Sequence, residues 1–259
     1  MSDIIIDKLP NGQFALKELK SGFQPNENRD FHARKNSLKS AVNLAKPRSK
    51  IMYIAKNNDW DWFATLTIDR KQFVGMADKE IIKSILQFIQ NETKRLKTKI
   101  AYLLVAEYGE NNQFHFHGLI KGLPFEDMRL IKPNEPLPIK IKDTIAGGKE
   151  VYEWIRYSEK FGHSHITRLD GAERAGRYMI KEIVKSNQRL MSNFNGHAVF
   201  HSQGLNCEPE RVLRGPAAKH IEKPDYETPW CSGKNSLSLE EALEYVDMND
   251  IGRIIVGKP

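Results

Sequence analysis

The rhythm of apolar and polar positions changes along the chain. Trp62 to Ile68 (WFATLTI) is a run of aromatic and β-branched residues that predicts a buried strand. From Asp78 a 3.6-residue period takes over. Ile81, Ile85, Phe88, Ile89, Glu92 and Leu96 mark one stripe of a helix of about 20 residues. Lys94, Arg95 and Lys97 close it, where they complement the helix dipole or face a nucleic-acid backbone. Two apolar runs, IAYLLVAEY (100–108) and FHFHGLIKG (114–122), flank the turn-forming GENNQ and predict a β-hairpin. Residues 123–150, rich in Pro and Lys, read as loop. VYEWIRYSEKF (151–161) reads as a short aromatic strand or helix, and GHSHITRL (162–169) as a strand. GAERAGRYMIKEIVKSNQRLM (171–191) reads as a helix of roughly 20 residues, and AVFHSQGLN (198–206) as a short last strand.

Outside this stretch the pattern weakens. Residues 1–56 read as a basic N-terminal extension, with a helix from Ser37 to Ala45; 57–206 as one domain; and 207–259 as a C-terminal extension, irregular to 236 with a helix near 237–249. The order β-α-β-β-(β)-α-β predicts an α+β fold, an antiparallel sheet with helices on one face in the ferredoxin or RRM-like manner. The other face is then free to carry a site.

Composition narrows the class. Of the 259 residues, 40% are hydrophobic and 28% charged, ordinary for a globular chain. The formal net charge of +7 favours a polyanionic partner, because each neutralised phosphate releases condensed counterions. Cys207 and Cys231 form no C-x-x-C pair, so neither a zinc finger nor a disulfide framework is expected. The N-terminal residues lack a secretory pattern, and no window reaches a membrane span; a cytoplasmic protein with no membrane partner is expected.

Candidate chemistry gathers on the predicted hairpin. Side chains alternate along a strand, so His115 and His117 share one face and Phe116 takes the other. Two such imidazoles can ligate one divalent metal, and a three-residue loop would set Glu107 opposite His115 as a carboxylate ligand. Glu110, at the turn tip, is the fallback. A second pair, His163 and His165, also shares a face, but without a facing carboxylate hairpin it reads as structural or solvated. On the last long helix Tyr178, Lys181 and Glu182 lie on adjoining strips. A protonated phenol is a poor nucleophile, and a metal with a neighbouring cation such as Lys181 would make its attack on phosphate feasible.

Together FATLTI (63–68), HFHGLI (115–120) and YMIKEI (178–183) resemble motifs I, II and III of the HUH endonucleases, in that order. The chain is most similar to the single-tyrosine rolling-circle replication initiators (Rep proteins) of phages and plasmids, over about residues 60–206. The resemblance implies His115, His117 and Glu107 as ligands of Mg²⁺ or Mn²⁺, Tyr178 as the nucleophile and Lys181 as its companion. The product would be a 5′-phosphotyrosine and a free 3′-hydroxyl on single-stranded origin DNA. Many phage-type relatives carry a second Tyr four residues on; here Glu182 stands there, and it is expected to activate water or to be a solvated helix residue. Arg174, Arg177, Lys121 and Arg168 are the leading DNA contacts, with Lys140, Lys142, Lys185 and Arg189 behind them and Trp154 and Tyr157 as stacking platforms. No phosphate-binding P-loop is present, so no nucleotide cofactor is expected, and a host helicase and polymerase would complete replication. The alternatives are an HUH relaxase or single-strand transposase, a non-catalytic DNA-binding module of the same fold, and a metal-dependent hydrolase using water.

Overall fold

The computed structural model describes residues 2–20, 45–109, 114–185, 198–227, 231–250 and 253–256. The chain forms two compact units, Met1–Lys35 with Asn206–Pro259, and Asn36–Leu205.

The larger unit is built on a seven-stranded antiparallel sheet. Its elements run α1 (Ala45–Lys56), β3 (Trp62–Thr67), α2 (Asp78–Leu96), β4 (Ala101–Tyr108), β5 (Phe114–Lys121), β6 (Met128–Leu130), α3 (Ile139–Ala146), β7 (Val151–Trp154), α4 (Ile155–Phe161), β8 (Ser164–Arg168), α5 (Ala172–Lys185) and β9 (Val199–His201). The strand order is β6-β7-β8-β3-β5-β4-β9. This is the expected α+β class. The expected strands and the α2 stripe fall where periodicity puts them, with Ile81, Ile85, Phe88, Ile89 and Glu92 all buried. Glu92 keeps its charge inside the stripe because Arg95 and Arg156 meet it at 2.7 and 3.0 Å.

The two faces of this sheet differ. On one, Tyr108, Phe114, Phe116 and Trp154 pack toward α2, with Phe88 5.2 Å from Trp154 and the Tyr108 hydroxyl bonded to Asp78. The other carries His115 and His117, and it is not wholly open: α5 lies along β4 and β5 on that side, backed by α1. Gly176 lets the two helices close, since a Cβ there would meet Met52 and Ala55 at 3.0–3.2 Å. Residues 123–150, read as loop, contain β6 and α3. Helix α3 follows Pro138 and buries no residue, so its sequence shows no apolar stripe to betray it. The aromatic segment 151–161, read as strand or helix, is one after the other, β7 then α4. The helix expected from Ser37 lies almost wholly outside the described residues; the helix that is described begins at Ala45.

The smaller unit corrects the reading of the two ends as separate extensions. β1 (Asp3–Lys8) and β2 (Phe14–Leu19) join β10 (Glu210–Pro216), β11 (Tyr226–Glu227), β12 (Cys231–Leu237) and β13 (Ile255–Val256) in one six-stranded sheet, ordered β11-β12-β2-β1-β10-β13. Its core is Ile4, Ile6, Leu16, Leu213 and Leu237 against Ala242 and Val246. Helix α6 (Leu239–Leu243) is shorter than expected and starts at Ser238, whose hydroxyl caps the Glu241 amide. Neither end could be recognised alone, because each supplies strands that complete the other's sheet.

Candidate active site

The hairpin register decides the site. Glu107 lies opposite His115, and Val105 opposite His117, so all four side chains face the same side. The turn tip with Glu110 lies outside the described residues. Gly118 of the HFHGLI segment is required by close approach: a Cβ there would run into the Leu103 carbonyl oxygen and the Leu104 side chain.

His117 is buried, and its Nε2 stands 2.6 Å from Glu107 Oε2. Burial works to raise the Glu107 carboxyl, but hydrogen bonds with His117 and Glu182 and the charges of both histidines hold it below the usual range. Burial, then the neighbouring His117, pushes His115 down to about 4, which keeps its imidazole neutral and able to ligate. Behind the pair, Thr65 Oγ1 lies 3.1 Å from His117 Nδ1 and Thr67 Oγ1 2.9 Å from His115 Nδ1.

α5 brings Tyr178 and Glu182 to this face. The Tyr178 ring stands edge-on to His117 at 5.3 Å and to Phe63 at 5.7 Å, and 40% of the residue remains exposed. Burial and the nearby carboxylates Glu182 and Glu107 push its hydroxyl up to about 12, so it is protonated until positive charge arrives. Glu182 is buried at 3% exposure, beside Glu107, and is not a solvated helix residue. Lys181 is exposed on the same helix.

The other candidates scatter. Arg174 and Arg177 are exposed on α5, paired with Asp170 and Glu173. Lys121 lies six residues along β5 from His115, roughly 20 Å away at strand rise, and pairs with Asp59 at 3.2 Å. Arg168 sits on the opposite face, its guanidinium 4.1 Å from the Trp62 ring and 4.6 Å from Phe125. Trp154 and Tyr157, read as stacking platforms, are wholly buried and belong to the core. The side chain of Lys185 and all of Arg189 lie outside the described residues.

Three features escaped the sequence reading. Thr65 and Thr67 alternate in register with His117 and His115, a pattern visible in FATLTI but unused. Lys140 on α3 comes within electrostatic reach of His115. His165 lies opposite Thr65, in one row with His117, and its imidazole is depressed by burial and by His163, with Glu153 opposing. The second histidine pair is thus a neighbour of the first across β3, and a carboxylate does stand near it.

A metal fits the donor set, two neutral nitrogens and a carboxylate with open positions beyond. Among the described residues no three His, Cys, Asp or Glu side chains stand as a ready-made cluster. His117 Nε2 and Glu107 Oε2 now bond each other; ligands about 2.1 Å from a shared ion sit about 3 Å apart, so they must part slightly to admit it. Two carboxylates converging on one part-buried spot are the arrangement a cation would relieve.

No helix among the described residues is long and apolar enough to cross a membrane. No curated protein and no solved structure is significantly similar to the chain. A family model does match: residues 61–187, from just before β3 to just past α5, fit the replication-associated protein family of the ORF2 type. The match takes in both histidines, Glu107, Tyr178 and Glu182, and through it the chain belongs to the rolling-circle replication initiators, the Rep proteins.

Proposed function

We propose that this Rep protein nicks single-stranded origin DNA by attack of Tyr178 on the scissile phosphate, in the HUH manner. The observation that carries the reading is the Tyr178 ring standing over His117, whose Nε2 faces Glu107. His115, His117 and Glu107 would hold Mg²⁺ or Mn²⁺, which when bound supplies positive charge against the phosphate oxygens. Tyr178 Oη forms a bond to phosphorus as the bond to the 3′-oxygen breaks; the phenol loses its proton and the 3′-oxygen gains one. One phosphodiester replaces another, so neither joining nor nicking needs a nucleotide. Lys181, Arg174 and Arg177 line the exposed side of α5, where a single strand's phosphates would pass; Lys140 would meet them from α3. Arg168 and Lys121, away from the tyrosine, would contact DNA only beyond the reacting phosphate. Host helicase and polymerase would extend the freed 3′-hydroxyl.

The test is a covalent adduct on a denaturing gel after incubation with single-stranded origin DNA and Mn²⁺. Wild type should form it; Tyr178→Phe, His117→Ala and chelator should each abolish it. Adduct surviving in Tyr178→Phe would overturn the nucleophile. DNA binding with no adduct in any condition would favour the non-catalytic module instead.

A further inference from the structure

The two histidines are held from behind by a matching pair of hydroxyls. β3 runs antiparallel to β5 with Thr65 opposite His117 and Thr67 opposite His115. Each threonine places Oγ1 within hydrogen-bond distance of Nδ1 of the imidazole across from it, at 3.1 and 2.9 Å. The same atom pair recurs on two rungs of one ladder. An imidazole can turn over about its second side-chain torsion at little cost. A bond at Nδ1 on both rings selects the orientation that leaves both Nε2 atoms pointing away from β3, where His117 Nε2 already meets Glu107.

The choice of a hydroxyl carries further meaning. A neutral imidazole has one N–H and one bare nitrogen. While His117 Nε2 donates to Glu107, Nδ1 is bare and accepts from the Thr65 hydroxyl. A cation on Nε2 needs that nitrogen bare, so the ring's proton must sit on Nδ1, which then donates to Thr65 Oγ1. A hydroxyl serves both states because it donates and accepts; a methyl group serves neither. Ligating histidines bonded through the other ring nitrogen have a fixed tautomer and orientation, and loss of such a partner typically weakens metal affinity about 10–100-fold.

We propose that Thr65 and Thr67 are positioning residues of the metal centre, fixing the tautomer and ring orientation of His117 and His115 for a divalent cation and reversing their hydrogen-bond roles as it binds. The inference rests on the metal-dependent reading above. It is tested by titrating the full chain with Mn²⁺ and measuring free ion by electron paramagnetic resonance. Thr65→Val and Thr67→Val should each lose about 10–100-fold in Mn²⁺ affinity, and Thr65→Ser and Thr67→Ser should recover most of it. Folded valine variants with wild-type affinity would overturn the positioning role, whereas a wild type that binds no Mn²⁺ would overturn the metal reading beneath it. Should the valine variants not fold, the wild type still decides: long-range ¹H–¹⁵N spectra at saturating Mg²⁺ should show Nδ1–H at both rings. A persisting Nε2–H would sink the proposal.

Discussion

Tyr178 and Glu182 are one helical turn apart and share surroundings that neither residue type announces. Glu182 is buried against Glu107, and both carboxylates act on the tyrosine hydroxyl. If Glu182 directs water at the phosphotyrosine, Glu182→Gln should leave nicking intact and shift products from released toward covalently held DNA. Unchanged product ratios on a sequencing gel would remove that role. At this scale the histidine pair and its metal-facing side were legible, because strand alternation is strict and H-x-H can only share a face. Glu182 was not. Its helical position allows a solvated or a buried side chain with equal ease, and only the packing of α5 on the sheet decides.

Register is the quantity that elements contribute. The β4–β5 hairpin puts Glu107 opposite His115, and a slip by one residue would turn the carboxylate to the other face. Gly118 keeps those strands close, so Gly118→Ala is expected to cost about 1–3 kcal/mol, read as a lower urea midpoint at unchanged m, and to weaken adduct formation with it. An unaltered midpoint would show that β4 gives way freely. The buried Glu92 ties α2 to Arg156 of α4. Glu92→Gln should therefore destabilise by about 1–3 kcal/mol, the solvent exposure of both arginines keeping it at the low end; a thermal melt measures it. The elements that sequence reading found, β3, α2, β4, β5 and α5, bury a continuous apolar stripe or run. Those it missed do not. α3 buries nothing, and β10 and β12 (ERVLRGP, CSGKNSL) each turn few apolar residues to a core. The IIIDKL-PNG-QFALKEL hairpin did carry a turn signal, Pro10-Asn11-Gly12, with Gly12 at φ +82°. The basic residues around it drew attention instead.

Across the whole molecule, charge is unevenly shared. The unit made of both chain ends holds 13 Lys and Arg against 15 Asp and Glu, so the excess of +7 belongs entirely to the other unit, the one with the Rep match. Reversing Arg174 or Lys140 should lower the salt slope of single-strand binding by about 0.7 each, while reversing Arg211 or Arg214 should leave it unmoved. Equal effects from both units would mean that DNA touches both. The smaller unit has its own acid sensitivity. Burial works to raise the Glu18 carboxyl, yet the Ile221 amide, His220 and Ser2 bond it and hold it below the usual range. A carboxyl lowered on folding stabilises above its unfolded value and loses that contribution as pH falls through the folded one. Glu18→Gln should thus reduce stability at neutral pH and flatten its decline toward acid; parallel pH–melting curves for both proteins would refute this. Asp3 and Arg214, 211 residues apart, bond within the same sheet, so β1 and β2 are made well before β10 and must wait for it. While the ribosome is still short of β10, that early hairpin has a bare strand edge open to other chains. A message broken late in its reading frame would therefore yield a protein whose Rep segment is fully encoded but whose β1 and β2 are left to aggregate.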